Sequence, residues 1–472
     1  MTLMIRSGTL ITAAETFIAD ILIEGERIVQ IGPDLPVPDG AEVVDARGKL
    51  VMPGGVDAHT HFSLPMPTAV SSDDHYTGHK AAAFGGTTTV IDFVPHDPGT
   101  LRENIDRWHA LADHKAAVDF GFHINITRLD DSVKAELPRL VEEGVTTLKV
   151  FMAYKSLRMG DANIFQLMRI ARENGYLTML HAEGGDVIDA LIPEAVARGR
   201  LTPEWHALTR PTQGAIEATL RGAALAAQAQ APLYVVHMNA GGEVDMLQYA
   251  RQQGWPVMGE TCPQYLFFTV DDLRRPDGAK FVCSPPVRSA LDNARMWKGL
   301  MEGTLQTVAT DHCPFFYDGT RPIEYEGQMV AMPGKEVGAG DFTKIPNGLP
   351  GVGDRMAVMW THGVGSGRLT ANQFVALTST NPAKIFGLYP RKGTLMPGAD
   401  ADIVLWDADR RLVYGAAVAR HRTDYNLYEG MELVGFPEKV FLRGRLIVDG
   451  ERWLGRPGMG QFLYRKPYAP VL

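Results

Sequence analysis

Two rhythms of apolar residues divide the chain. Near the N-terminus, residues 9–12, 20–23 and 27–31 alternate or cluster apolar side chains in short runs, which predicts strands, with Glu24-Gly25-Glu26 as a hairpin turn. The same texture returns at 401–406 and 439–448. Strand-rich ends around a different middle predict one small β domain built from both termini, since chain ends commonly lie close together. In the middle, short apolar runs alternate with amphipathic stretches, the pattern of parallel strands joined by crossover helices. Eight candidate strands centre on 55–62, 88–95, 120–127, 146–154, 177–182, 233–238, 256–262 and 306–311. Helical patterns at 132–144, 164–175, 215–231 and 244–254 separate several of them, and Gly144, Gly175 and Gly254 mark where helices end. Eight such units predict an α/β fold with a closed (β/α)8 barrel, because eight strands enclose an interior that side chains can fill. The expected division is a β-sandwich from 1–52 and 389–472, the latter with a C-terminal tail, around a barrel spanning 53–388.

Composition narrows the setting. The chain has 472 residues, 45% of them hydrophobic and 21% charged, ordinary values for a folded protein of barrel-plus-domain size. A net charge of −9 gives no electrostatic reason to expect nucleic acid or an anionic membrane as partner. No apolar run is long enough to span a bilayer, and Met1-Thr2-Leu3-Met4-Ile5-Arg6 lacks the features of a signal peptide. Cys262, Cys283 and Cys313 are scattered and show no CxxC spacing, so the expectation is three buried thiols in a reducing cytoplasm.

Polar residues interrupt the predicted strands at their ends. The first finishes Asp57-Ala58-His59-Thr60-His61, placing His59 and His61 on one face by the two-residue period of a strand. Lys149 lies in the fourth, while His181, His237 and Asp311 end the fifth, sixth and eighth. In a closed barrel these ends share one mouth, where sites of this architecture lie. Four imidazoles and a carboxylate are too many ligands for one tetrahedral ion that keeps an open position, and two ions sharing ligands fit better. Lys149 is the odd member, because an ammonium beside two divalent ions is disfavoured. Either it points away from the mouth, or its amine has added carbon dioxide to become a bridging carbamate. His75, His79, His96, His109, His114 and His206 lack the strand-end placement and are read as structural.

Longer motifs carry a resemblance. Asp57–His61, Lys149–Tyr154, His181-Ala182-Glu183, 260–266, Cys283-Ser284-Pro285-Pro286, 310–315, Ile345-Pro346-Asn347-Gly348 and 378–384 together make the chain similar to the dihydropyrimidinase/hydantoinase family. The resemblance implies a homotetramer with two zinc ions per subunit. One ion would be held by His59, His61, N6-carboxylated Lys149 and Asp311, the other by His181, His237 and the same lysine. It further implies that Tyr154 donates to the developing oxyanion and that Ser284 and Asn347 hold the imide edge of a cyclic ureide, largely through backbone groups. The implied reaction is hydrolysis of the ring amide of dihydropyrimidines or 5-substituted hydantoins to N-carbamoyl amino acids by a metal-bridging hydroxide. Asp311 would act first as base and then as acid.

Three other readings share the fold. Dihydroorotase-like relatives carry an arginine shortly after the second histidine, but here His61 leads into Phe62-Ser63-Leu64-Pro65. An allantoinase-like enzyme is the nearer alternative, although 72–78 resembles the hydantoinase branch more. Non-catalytic structural or signalling relatives have lost their metal ligands, whereas every candidate is present in this chain. Gly184 stands where relatives often carry asparagine. The 64–75 segment, Phe151 and 156–164 are expected to line the substituent side of the substrate.

Overall fold

The computed structural model describes residues 2–66 and 69–470. The N-terminal strands are β1 (Thr2–Ile11), β2 (Thr16–Glu24), β3 (Arg27–Gly32), β4 (Glu42–Asp45) and β5 (Leu50–Pro53). Gly25, at φ +62°, makes the turn between β2 and β3. The eight following strands are β6 (Gly55–Thr60), β7 (Thr87–Val94), β8 (Asp119–Asn125), β9 (Thr147–Phe151), β10 (Leu177–His181), β11 (Leu233–Met238), β12 (Val257–Thr261) and β13 (Thr307–Val308). They pair in parallel in chain order. The ends of the row meet where His61 N–H donates to His312 O at 2.8 Å and Thr60 bridges to His312. This is the eight-stranded barrel that the alternating pattern predicts.

After β13 the chain makes a hairpin, β14 (Arg321–Tyr325) and β15 (Gln328–Met332), and then returns to the terminal sheet as β16 (Ile403–Val413), β17 (Glu432–Leu442), β18 (Arg445–Asp449) and β19 (Arg452–Trp453). That sheet runs β19-β18-β17-β16-β5-β1-β2-β3, with β4 added to β1, so strands from both termini share one hydrogen-bonded array. The 439–448 run is two strands, turned at Arg443-Gly444. Its apolar centre joins Leu3, Ile5, Ile21 and Ile23 from one terminus to Ile403, Leu405 and Phe441 from the other.

Barrel and terminal sheet are tied by charge as well as packing. Lys392 Nζ, fully buried, donates to Asp119 at 2.6 Å and Asp402 at 2.8 Å, and lies 2.9 Å from Asp400. Arg443 pairs with Asp119 from the other side. Asp119 begins a barrel strand, so this cluster grips the end of the barrel opposite the mouth. All three cysteines are buried and free. Among the described residues, no helix is long and apolar enough to cross a membrane.

Candidate metal centre and substrate cleft

At the C-terminal mouth the barrel brings the six expected ligands into one space. His59 comes from β6, Lys149 from β9, His181 from β10 and His237 from β11, while His61 and Asp311 lie just beyond β6 and β13. His59 Nε2 and His61 Nε2 lie 3.1 and 3.0 Å from the same Asp311 oxygen. His181 Nδ1 faces His237 Nε2 at 2.9 Å. Ligand atoms of His59, His237 and Asp311 all fall within 4.8 Å of one another. Lys149 reaches the same mouth, its ammonium 4.8 Å from the Phe93 ring centroid and 5.3 Å from that of Phe151.

Donor chemistry and hydrogen bonding both fit a metal. His61 Nδ1 and His237 Nδ1 are buried without a hydrogen-bond partner, a state that burial penalises unless something else fills the lone pair or accepts the proton. Imidazoles and a carboxylate together form a donor set suited to zinc and its neighbours. Three of the ten non-glycine residues with positive φ among the described residues also lie here. Tyr154, His237 and Asp311 have φ of +64°, +38° and +54°, a region that costs non-glycine residues on the order of 1–3 kcal/mol each.

Charge at the mouth is unevenly held. Burial alone would lower the pKa of His59, but the Glu260 and Asp311 carboxylates outweigh it and raise it to about 9. Burial would raise Asp311, yet the His59 and His61 imidazoles hold it well below the usual carboxylate range. Burial and the facing His181 ring keep His237 far below its ordinary value, so it stays neutral and able to bind a cation. For Lys149, burial wins against the attraction of Asp311 and Glu260 and lowers its pKa to about 8.

Behind the imidazoles stand carboxylates to which the sequence reading gave no role. Glu260, at the end of β12, takes His59 Nδ1 at 2.7 Å, the His237 backbone N–H at 3.1 Å and the Tyr234 hydroxyl at 2.9 Å. Glu183 takes His181 Nε2 at 2.8 Å. Such partners fix ring orientation and tautomer, leaving the other nitrogen free for a ligand. Asp57 accepts from Thr310 Oγ1 at 2.7 Å and from the His59 backbone at 3.2 Å, bracing β6 against the strand that delivers Asp311. A signal for Glu260 was present: an acid within a strand otherwise buried on both faces calls for a partner.

Tyr154 flanks this centre, its ring 5.0 Å from that of His181. Burial pushes its phenol pKa up, so it remains a donor at neutral pH. It also lines a cleft of about 430 Å³ shared with Lys155, Ser156, Glu183, Ile188, Ile192 and Arg210. Ser284 Oγ lies 3.1 Å from His206 Nε2, which also meets Cys283 O at 2.8 Å. His206, expected to be merely structural, therefore holds the Ser284 loop; nothing in its local sequence reports this, because the contact spans 78 residues. The segment carrying Asn347 is joined to that loop by a bond from Gly348 N–H to Val282 O at 3.2 Å. His75 and His79 are buried around Phe62, away from the six. In the 64–75 segment, Pro67 and Thr68 lie outside the described residues, while Leu64, Met66 and Val70 pack with Phe315, Ile323 and Met332. Gly185 opens the helix after His181, where an added Cβ would meet Met152 O at 2.5 Å.

Comparison with known proteins agrees with this geometry. The family model described as the amidohydrolase family matches residues 50–447. A D-hydantoinase of Geobacillus stearothermophilus is 44% identical over 100% of this chain and 98% of its own length. The crystal structure of dihydropyrimidinase from Brevibacillus agri NCHU1002 superposes with a TM-score of 0.95 at 44% identity, covering 100% of both chains. An L-hydantoinase (dihydropyrimidinase) from Arthrobacter aurescens gives 0.86 at 28% identity, covering 98% of this chain and 99% of that one.

Proposed function

The chain belongs to the amidohydrolase family, in its hydantoinase–dihydropyrimidinase branch, and from that premise we propose that it hydrolyses the cyclic amide of 5,6-dihydropyrimidines or 5-substituted hydantoins to N-carbamoyl amino acids. The observation that carries the reading is the convergence of His59, His237 and Asp311 at a barrel mouth that also holds His61, Lys149 and His181. In this reading two zinc ions are resident, one on His59, His61, Lys149 and Asp311, the other on His181, His237 and Lys149. Lys149 is N6-carboxylated. An amine held at about 8 is neutral in roughly one molecule in ten at pH 7, and the neutral form is the one that adds carbon dioxide.

Bound divalent ions lower the pKa of water to about 7 and polarise a carbonyl, which is the chemistry a poorly electrophilic ring amide lacks. The protein supplies the remainder. Asp311, a carboxylate held between two imidazoles, takes the proton of the attacking water and passes it to the departing ring nitrogen. Tyr154 donates a hydrogen bond from its hydroxyl to the oxygen on which charge develops. Glu260 and Glu183 keep His59 and His181 in one orientation. Ser284 and Asn347, on loops joined to each other, hold the imide edge of the ring, and the cleft beyond Tyr154 receives the substituent. The proposal extends to a cytoplasmic homotetramer whose subunits divide at residues 52 and 388.

The test is ring opening of dihydrouracil and hydantoin by zinc- and bicarbonate-treated protein, with allantoin and dihydroorotate alongside and Lys149→Ala as control. Metal-dependent opening of the first two, lost in the variant, is expected. Turnover of allantoin alone would replace the substrate class. Absence of both turnover and bound metal would favour a non-catalytic relative of the same fold.

A further inference from the structure

Lys335 is a lysine buried beside main-chain carbonyls. It is fully enclosed, and among the described residues no carboxylate lies within ion-pairing distance of it. Its ammonium instead donates to two main-chain carbonyls, Gly348 O at 2.7 Å and Val282 O at 2.9 Å, with Lys280 O further off at 3.5 Å. Enclosure lowers its pKa to about 7. A position that disfavours its own charge needs those carbonyls to hold it, and carbonyl dipoles are modest compensation.

The carbonyls belong to two particular loops. Val282 precedes Ser284 by two residues, and Gly348 follows Asn347. Lys335 is itself set by the base of the β14–β15 hairpin: its N–H donates to Phe316 O at 2.9 Å, and that of Glu336 to Tyr317 O at 3.1 Å. Three segments distant in sequence thus meet at one ammonium. We propose that Lys335 is a positioning residue for substrate binding, clamping the Ser284 and Asn347 loops at the spacing that grips one edge of the ring. This rests on the reading of Ser284 and Asn347 as the imide-holding pair. It goes beyond that reading in assigning the spacing of the pair to a side chain that touches neither substrate nor metal.

The test compares wild-type enzyme with Lys335→Met, which keeps an unbranched chain as far as the ε position and removes the donor, and Lys335→Gln, which is of similar length to methionine and keeps a neutral donor. With dihydrouracil as substrate, Lys335→Met is expected to raise KM about ten-fold or more while kcat changes less than about three-fold and bound zinc is unchanged; Lys335→Gln falls between. Hydrogen exchange is read on the same proteins, and the Gly348 amide is expected to exchange faster in Lys335→Met while the barrel strands do not. An unchanged KM and unchanged exchange would overturn the proposal. So would loss of zinc with a collapse of kcat, which would make Lys335 a structural support of the whole mouth. Should the wild-type protein open no ring, the functional reading fails by itself, and the exchange at Gly348 still decides for or against the clamp. If Lys335→Met does not fold, Lys335→Gln carries both measurements.

Discussion

Replacing Lys149 with methionine should remove metal binding and yet stabilise the metal-free protein. The side chain is buried, and its pKa lies at about 8 against an ordinary value of 10.5, chiefly because burial disfavours the charged form. That difference corresponds to roughly 3 kcal/mol of penalty on the ammonium at neutral pH. Contacts of the ammonium with the Phe93 and Phe151 rings offset part of it, and those rings would meet the methionine thioether equally well. For a chain of this size the unfolding entropy near 60 °C is about 1 kcal/mol per kelvin, so the full effect is a rise of roughly 3 °C in Tm. The folded pKa lies below the unfolded one, so the penalty is complete below about pH 8 and disappears as pH rises past the unfolded value. The advantage of Lys149→Met should therefore be largest at pH 7 and fade between pH 8 and 10.5. The assay is thermal unfolding of chelator-treated, bicarbonate-free protein at pH 7 and at the alkaline end of that window. A lower Tm for the variant at pH 7 would refute the reasoning, because it would mean the amine makes interactions in the apo protein that outweigh its burial.

Other perturbations test neighbouring parts of the argument. Glu260→Gln should weaken metal affinity about 10–100-fold, measured by zinc retention against graded chelator, because the His59 ring loses its anionic partner. Tyr154→Phe should lower kcat on dihydrouracil by about 10²–10³ with bound zinc unchanged, as removal of one oxyanion donor does elsewhere; loss of metal instead would reassign the residue. Lys392→Met should destabilise the fold by about 3–5 kcal/mol, read as a lowered unfolding midpoint, since the buried Asp402 would lose its ion-pair partner while Asp119 keeps only Arg443 and Asp400 only Arg27 and Arg391. Cys262, Cys283 and Cys313, whose thiols burial pushes up, should resist a thiol-specific disulfide reagent at pH 8 until the protein is unfolded.

The barrel was legible because its strands are buried on both faces and separated by helices of clear period, so each apolar run marked one strand. His59, His181 and His237 stood out as polar residues ending such runs. Glu260 stands in an equally apolar strand, but inside a longer motif that does not by itself separate its role from that of its neighbours. The β14–β15 hairpin left a fainter trace: of its ten residues only Ile323 and Met332 are buried, and Pro322, Glu324 and Gln328 blur the alternation. Lys335 and His206 could not be read locally at all. Their partners lie 13 to 78 residues away, and one buried lysine looks like any surface lysine until the chain has folded around it.

Several features that local rules disfavour meet at the barrel mouth. Tyr154, His237 and Asp311 in left-handed conformation, the unpartnered His61 Nδ1 and His237 Nδ1, and Lys149 and Lys335, whose burial disfavours their charge, sit at or beside it. The opposite end has strain of its own, with Arg443 at φ +46°, but its charges are paired. There Lys392 meets three carboxylates, its pKa rises, and a nine-stranded sheet from both termini packs against the barrel. This separation follows from what each end does. A mouth whose groups were fully satisfied by one another would have nothing left with which to hold an ion or a ring edge, so its unmet bonds are the binding capacity itself. They persist because the rest of the barrel is over-determined by packing and paired charge. On this view, substitutions that relieve the mouth should raise stability and lower activity together, whereas substitutions at the Lys392 cluster should lower both.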